Sequence, residues 1–368
     1  TMPVRAKRLD LIPPYLFGEI ARLKAAARAE GKDLIDFGIG DPDQPTPTPI
    51  IDRLYEEAKN PETHCYDESD AGDPIFLKQS AQWFYNRYGV EVTTDQMVLL
   101  IGSKEGLAHL CWAYIDPGDI ALIPDPNYTV PKVQTLLAGG QPYLMPLTIE
   151  NNFLPDLTAI PTDVAKAAKL LFLNYPHNPT GAIAPLTFFN DAVRFAKEYD
   201  LLICNDCAYA EVGYDGYQPP SILQAEGAMD VAIETHSLSK TFNMTGWRLG
   251  WLVVPEAIMP TLEKLAQNLF ICPSVIAQQA ALACFEPASL QTYEQRRQEF
   301  MARRDYFIPA LKKLGFDIPV MPDGAFYAWA DCRPLFNQLG VDNSWDASFV
   351  IMQKAHVAVT PGRDFGHN

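Results

Sequence analysis

From about residue 97 onward, short and nearly continuous apolar runs alternate with stretches of helical spacing. The runs are MVLLIG (97–102), IALIP (120–124), PYLMP (142–146), KLLFLNYP (169–176), LLICND (201–206), VAIETHS (231–237) and RLGWLVV (248–254). Each is too short for a helix and too apolar for a strand with one wet face, so each predicts a strand buried on both sides. Between them, Glu105–Tyr114 and Leu186–Tyr199 place apolar residues three and four apart, and DPGD (116–119) reads as a turn. Buried strands separated by helices predict an α/β fold, a mostly parallel sheet covered by helices on both faces. Upstream, helical patterns at Leu16–Glu30 and Ile50–Lys59 flank a proline-rich stretch, Pro42–Pro49, predicted to be extended because successive X-Pro pairs oppose helix. After about residue 256 the pattern turns helical, then ends in two short strand signals at Ala325–Ala330 and Val357–Thr360. The expected division is an N-terminal arm with part of a small domain (1–44), a large domain (45–265) and a small α+β domain (266–368) built from both chain ends.

Composition narrows the function classes. A chain of 368 residues with 48% hydrophobic and 20% charged residues is of globular type. No apolar run approaches the ~18 residues of a spanning helix and no apolar leader core is seen, so a cytoplasmic protein without a membrane partner is expected. The net charge of −16 disfavours a nucleic-acid surface, which needs a basic face. Seven scattered cysteines form no disulfide framework and read as free thiols of a reducing compartment.

In open α/β sheets ligands sit beyond the carboxyl ends of the strands, so the residues just after each apolar run matter most. Ser103 and Lys104 follow the first run and open a helix, whose free N–H groups suit a phosphate. The KLLFLNYP run leads into His177-Asn178-Pro179-Thr180-Gly181, and LLICN ends in Asp206 with Tyr209 three residues on. VAIETH runs into Ser237-Leu238-Ser239-Lys240, with Arg248 eight residues beyond the lysine. Ser237 and Ser239 offer hydroxyl donors, and Arg248 a bidentate fork for phosphate oxygens. Lys240 is an amine able to form a Schiff base with an aldehyde. Asp206 is an anion able to keep a pyridine nitrogen protonated, which makes the ring an electron sink. Tyr209 and Asn178 can reach a phenolic oxygen, and Tyr128, in the loop after the IALIP strand, can stack on a ring face. Together these groups match pyridoxal 5'-phosphate.

NPTG (178–181), D-x-x-Y (206–209), S-x-S-K (237–240) and GWRLG (246–250), in this order, resemble fold-type I aminotransferases of classes I and II. The resemblance runs from FGIGDPD (37–43) to PGRDFG (361–366). It implies that Lys240 carries the cofactor, Asp206 pairs with its ring nitrogen, and Tyr209 and Asn178 hold its phenolic oxygen. It also implies a phosphate cup of Ser103, Lys104, Ser237, Ser239 and Arg248, with Lys104 alternatively facing the substrate. Tyr66, in CYDESDAG, resembles a tyrosine that reaches the neighbouring subunit's phosphate, which implies a homodimer with shared sites. IPPYLFGEI (12–20), GSKEG (102–106) and PDPNY (124–128) resemble the LL-diaminopimelate aminotransferase-related branch, in which Tyr15 and Gly40 line the substrate pocket. The reaction implied moves an amino group between an amino acid and a 2-oxo acid, with Lys240 as the base. LL-diaminopimelate with 2-oxoglutarate, other donors such as aspartate, alanine, aromatic or methionine-type amino acids, and a β-lyase or decarboxylase outcome on the same scaffold remain open.

Taken singly these motifs are weak. A lysine after Ser-x-Ser is usually an exposed lysine, NPTG a turn, Asp206 a helix cap and Arg248 a structural ion pair. Their joint placement on successive strand ends carries the argument. Other signals fail. Cys204-Asn205-Asp206-Cys207 lacks a second pair, so neither zinc nor redox chemistry is expected. Gly38-Ile39-Gly40 is followed by Asp43 where a dinucleotide loop needs glycine. The six histidines show no ligand spacing, no metal is expected, and His177 reads as structural. A transcription regulator on this scaffold would need a DNA-binding extension and a less acidic chain. Two departures from the family pattern bear on the substrate. Ile271, in Phe270-Ile271-Cys272, is apolar where the branch has an asparagine. An arginine pairing with the substrate α-carboxylate belongs after the PGRDFG run, so a further C-terminal segment is expected in the native protein.

Overall fold

In the computed structural model, residues 2–13, 16–69 and 71–366 are described. Among these residues nine strands form two sheets: β1 (Ile35–Asp36), β2 (Met97–Leu100), β3 (Ile120–Asp125), β4 (Gln141–Pro146), β5 (Ala168–Leu173), β6 (Leu202–Asp206), β7 (Ala232–Ser237), β8 (Gly250–Val253) and β9 (Val357–Ala358). The large sheet has the order β2-β8-β7-β6-β5-β3-β4. All its pairs are parallel except those of β8, which runs against both β2 and β7. The seven predicted strands are the seven strands of this sheet.

Period-2 alternation divides the sheet's side chains between two cores. Leu99, Leu122, Leu171, Leu173, Ile203 and Val253 pack on one face. Val98, Leu100, Ile123, Leu170, Phe172 and Leu252 pack on the other. Every residue of β2, β7 and β8 is buried, the physical reason β2 and β8 read as apolar runs; β7 carries its buried polar residues Glu234 to Ser237 toward the rim. Helices Ser103–Tyr114 and Met259–Leu269 cover the second face, whereas Pro74–Tyr88 and Leu186–Glu198 cover the first. Helix Pro74–Tyr88 is defined by its ends more than by its apolar spacing: the Asp73 carboxylate accepts the Phe76 N–H at 2.7 Å, Pro74 starts the first turn, and Gly89 at φ 68° ends the last.

The helix after β2 starts at Ser103, as expected of the residues that open it. Two details differ from the sequence reading. Helix Thr48–Glu57 begins inside the proline-rich stretch, because Pro49 occupies the first turn, where its missing N–H does no harm. The strand expected at Ala325–Ala330 does not form. Ala325 lies at φ 58°, and its N–H and carbonyl are taken by the Val212 carbonyl and the Tyr214 hydroxyl. The second sheet is β1 paired in parallel with β9, Ile35 beside Val357, so the two ends of the chain do build one layer.

Candidate active site

The reversed strand explains the rim. β2, β3, β5, β6 and β7 end there, while β8 begins there, with Gly250 lying between Leu100 and Ser237. The residues just before β8 therefore return to the place where β2 and β7 finish. A Cβ on Gly250 would come within 2.5 Å of the His236 carbonyl oxygen, 3.3 Å of the Ser103 nitrogen and 3.4 Å of the Ser237 Cα. Only glycine lets these three segments approach so closely. Gly102, at φ 97°, turns the chain from β2 into its helix against the Arg248 guanidinium. Arg248, itself at φ 58°, donates to the Ile101 carbonyl at 3.1 Å and the Thr245 carbonyl at 2.9 Å. Among the described residues it makes no ion pair, so its charge is not spent on a carboxylate. The Ser237 hydroxyl accepts the Ser239 N–H at 3.1 Å and caps the short helix Leu238–Thr241 that carries Lys240.

Lys240 donates from Nζ to the Gly40 carbonyl at 2.5 Å and lies 5.9 Å from the Phe326 ring. Burial pulls its pKa below that of an ordinary lysine, which favours the neutral, nucleophilic amine. Asp206 is buried at the end of β6 and accepts the Thr235 hydroxyl at 2.6 Å. Burial raises its pKa against the pull of Thr235, so this carboxylate stands short of positive charge. Burial likewise raises the Tyr209 phenol well above its ordinary value and keeps it a donor. Tyr209 shares a hydrogen bond with the Tyr327 hydroxyl.

These residues fit pyridoxal phosphate. The Asn178 side-chain oxygen is buried without a partner among the described residues, and so is that of Asn174 nearby, whose amide contacts the Asn178 carbonyl at 3.4 Å. A cation at Asp206 would offset the carboxylate's burial. Gly102, Gly250 and the Ser103 N-terminus leave a backbone cradle beside Arg248, the arrangement an anion prefers.

The structure brings Ser103, Asn178, Asp206, Tyr209, Ser237, Ser239, Lys240, Arg248 and Gly40 to this rim. Tyr128 is half-buried against the core of the second face, in the loop after β3. Lys104 points to solvent, and Tyr66 is 80% exposed. Tyr15 lies outside the described residues. His177 is fully buried, stacks on Tyr175 at 5.4 Å and bonds Thr180 at 2.7 Å, and burial pulls its pKa down to about 3. It is a packing residue. Cys204 and Cys207 are free and buried, and the described residues contain no group of three metal-ligating side chains. Thr235, Asn174 and Tyr327 are site neighbours that the strand-end reading misses. Thr235 was within reach of that reading, because it stands opposite Asp206 in the β6–β7 register.

Beneath the rim lies a second polar cluster. The Glu234 carboxylate, fully buried, accepts the Ser221 hydroxyl at 2.6 Å, the Ile222 N–H at 2.8 Å, the Asn205 amide at 3.2 Å and the His236 ring at 2.9 Å. His236 stacks on Trp251 at 5.4 Å. The cluster is saturated with partners and fixes β6 against β7, which holds Asp206 in place.

The chain belongs to the aminotransferase class I and II family, whose pattern matches residues 32–367. The family uses pyridoxal phosphate and transfers amino groups between amino acids and 2-oxo acids. LL-diaminopimelate aminotransferases of Moorella thermoacetica and Halothermothrix orenii are each 46% identical to it, covering 98% of this chain and 91% of each relative. Among solved structures, BacF of Bacillus subtilis with bound substrate superposes with a TM-score of 0.92 at 34% identity, covering 100% of this chain and 91% of that one. Aspartate aminotransferase of Thermus thermophilus with maleate superposes with a TM-score of 0.90 at 28% identity, covering 99% and 93%.

Proposed function

We propose that this enzyme takes the amino group of LL-diaminopimelate and passes it to 2-oxoglutarate, working as a cytoplasmic homodimer in amino-acid biosynthesis. The observation that carries the reading is a partly buried lysine on the same rim as a buried carboxylate and a guanidinium that makes no ion pair among the described residues. The identity of the donor rests on the relatives, which bear that name at up to 46% identity over nearly the whole chain. The division into 1–44, 45–265 and 266–368 is proposed with it, supported by the pairing of β1 with β9.

Pyridoxal phosphate, when bound, supplies an aldehyde that condenses with amines and a ring that accepts the electrons left at a substrate carbon. Lys240 would be the residue that holds that aldehyde covalently. The Lys240 amine, whose burial favours its neutral form, would be the base for the proton on the substrate Cα. Asp206 keeps the ring nitrogen protonated, and Tyr209 and Asn178 hold the phenolic oxygen. Ser103, Ser237, Ser239 and Arg248 would hold the phosphate, helped by Tyr66 from the other subunit. Tyr128 would stack on the ring, while Gly40 and Asn178 would face the substrate. The exposed apolar side chains of Ile51, Tyr55, Tyr66, Ile75 and Phe270 support a second copy as their cover.

One observation favours a second reading, a donor with an uncharged side chain. Ile271 is 47% exposed and sits at φ 68°, a backbone region costly for a β-branched residue and tolerated by asparagine. An apolar side chain there offers no partner to a distal ammonium or carboxylate. Borohydride reduction followed by peptide mapping, then a panel of donors and acceptors, tests both. The expected result is a pyridoxyl group on Lys240 and turnover of LL-diaminopimelate with 2-oxoglutarate. Label on another lysine refutes the site, and turnover confined to apolar donors refutes the substrate.

A further inference from the structure

Tyr327 belongs to none of the motifs above, yet it touches two parts of the site directly and a third through Gly40. Its hydroxyl bonds that of Tyr209, and the rings meet edge to face, 5.4 Å apart at 79°. It packs so closely on Gly40 that a Cβ at Gly40 would overlap the Tyr327 hydroxyl. The Gly40 carbonyl in turn accepts Lys240. The neighbouring Phe326 contacts Tyr209 at 5.3 Å and faces the Lys240 amine. The segment is not free to drift. The Ala325 N–H donates to the Val212 carbonyl at 2.9 Å, and the Tyr214 hydroxyl donates to the Ala325 carbonyl at 2.6 Å.

Two hydroxyls sharing one hydrogen bond spend one proton on it. If Tyr209 spent its proton on Tyr327, it would have none for the cofactor's phenolic oxygen. We propose that Tyr327 is a positioning residue that donates to the Tyr209 oxygen, thereby aiming and strengthening the Tyr209 proton toward the cofactor. A donor that itself accepts a hydrogen bond is the stronger donor. The geometry also ties that effect to Gly40, so the cover over Lys240 and the tuning of the phenolic oxygen share one side chain. This rests on the cofactor assignment proposed above.

The test is the pH dependence of the visible absorbance of the holoenzyme. Hydrogen bonding to the phenolic oxygen competes with the proton on the neighbouring Schiff-base nitrogen, so losing it raises the pH midpoint of the spectral change. Tyr327→Phe keeps the ring and removes only the hydroxyl. It should raise the midpoint by about 0.2–0.6 of a pH unit, in the same direction as Tyr209→Phe and by less. In the Tyr209→Phe background, Tyr327→Phe should add nothing further. Replacement of Tyr327 by 3-fluorotyrosine, a stronger donor of nearly the same size, should lower the midpoint, and this keeps the question decidable if Tyr327→Phe folds poorly. A midpoint unchanged in Tyr327→Phe, or a full additional shift in the double variant, overturns the inference. Absence of any visible band in the wild type overturns the cofactor assignment itself, a different failure.

Discussion

Replacing Gly250 by alanine should damage the phosphate cradle without removing any group that would bond the phosphate. The new methyl carbon would lie 2.5 Å from the His236 carbonyl oxygen, where real contacts stay above 3.0 Å, so at least half an ångström must be found. It cannot come from a flexible side chain. The obstructing atom belongs to β7, and β8 is clamped between β7 and β2 through the Ser237 and Leu100 pairings. The sheet itself must spread at that point, at a cost of about 1–3 kcal/mol for overpacking a close-packed site. The same movement separates Ser103 from Ser237, which lie 3.3 and 3.4 Å from the methyl position. Loss of one charge-assisted bond to the phosphate weakens binding by roughly 1.5–3 kcal/mol, or about 10- to 100-fold in dissociation constant. Equilibrium dialysis of pyridoxal phosphate against the apoenzyme measures this, with pyridoxal lacking the phosphate as the comparison ligand. Gly246→Ala is the control, since that position is exposed and a Cβ there meets nothing within 4 Å. The expected outcome is weaker pyridoxal phosphate binding in Gly250→Ala with little change for pyridoxal. The reasoning is refuted if Gly250→Ala matches Gly246→Ala in both cofactor affinity and melting temperature.

Two other outcomes are expected. Mixing inactive Tyr66→Phe and Lys240→Ala subunits should restore activity, because one site of each mixed dimer would hold both intact residues; turnover no higher than the sum of the parents in verified mixed dimers contradicts shared sites. Glu105, on the helix behind the cradle, is buried and pushed up from 4.5 to about 7, while His109, 3.4 Å away, is pulled down to about 4, so the pair carries no charge between those values. A buried acid with a raised pKa adds nothing unfavourable below 4.5, and its cost grows as pH rises to about 7 and stays level above. His109 and His177, both held below their ordinary value, gain stability as pH rises over part of the same range, so the Glu105 contribution is read as a difference. The urea midpoint of Glu105→Gln relative to wild type should be higher at pH ~8 than at pH ~5, and an equal difference at both shows that Glu105 does not titrate this way.

The strand ends were legible because the physics that buries a strand also announces where it stops. Asp206, Asn178, Ser103 and Ser237 follow apolar runs directly, and each lies on the rim. Arg248 was legible as a residue near a strand, although its arrival at the rim depends on β8 running backwards, which apolar runs do not encode. Tyr327 was not legible at all. Its partner Tyr209 is 118 residues away, and the backbone that presents it is an irregular segment with Ala325 in a left-handed conformation, where strand periodicity has nothing to report. The same irregularity accounts for the strand expected there. Ile271 shows the opposite case, a residue whose oddity is visible in sequence and again in its φ of 68°.

The hairpin-like return from Ser237 to Gly250 has a consequence for how such an enzyme can change over time. Lys240 hangs from the end of β7 and Arg248 from the start of β8, while Ser237 and Gly250 face each other across the ladder. The amine and the guanidinium are thus indexed to the sheet rather than to each other. Between them, Gly246 stands at an exposed point with open space around it. Chain can be gained or lost there without resetting either anchor, whereas one residue added between Arg248 and Gly250 would break the register. Within a few positions of the same loop, one stretch is free to diversify and the next is held to a single length.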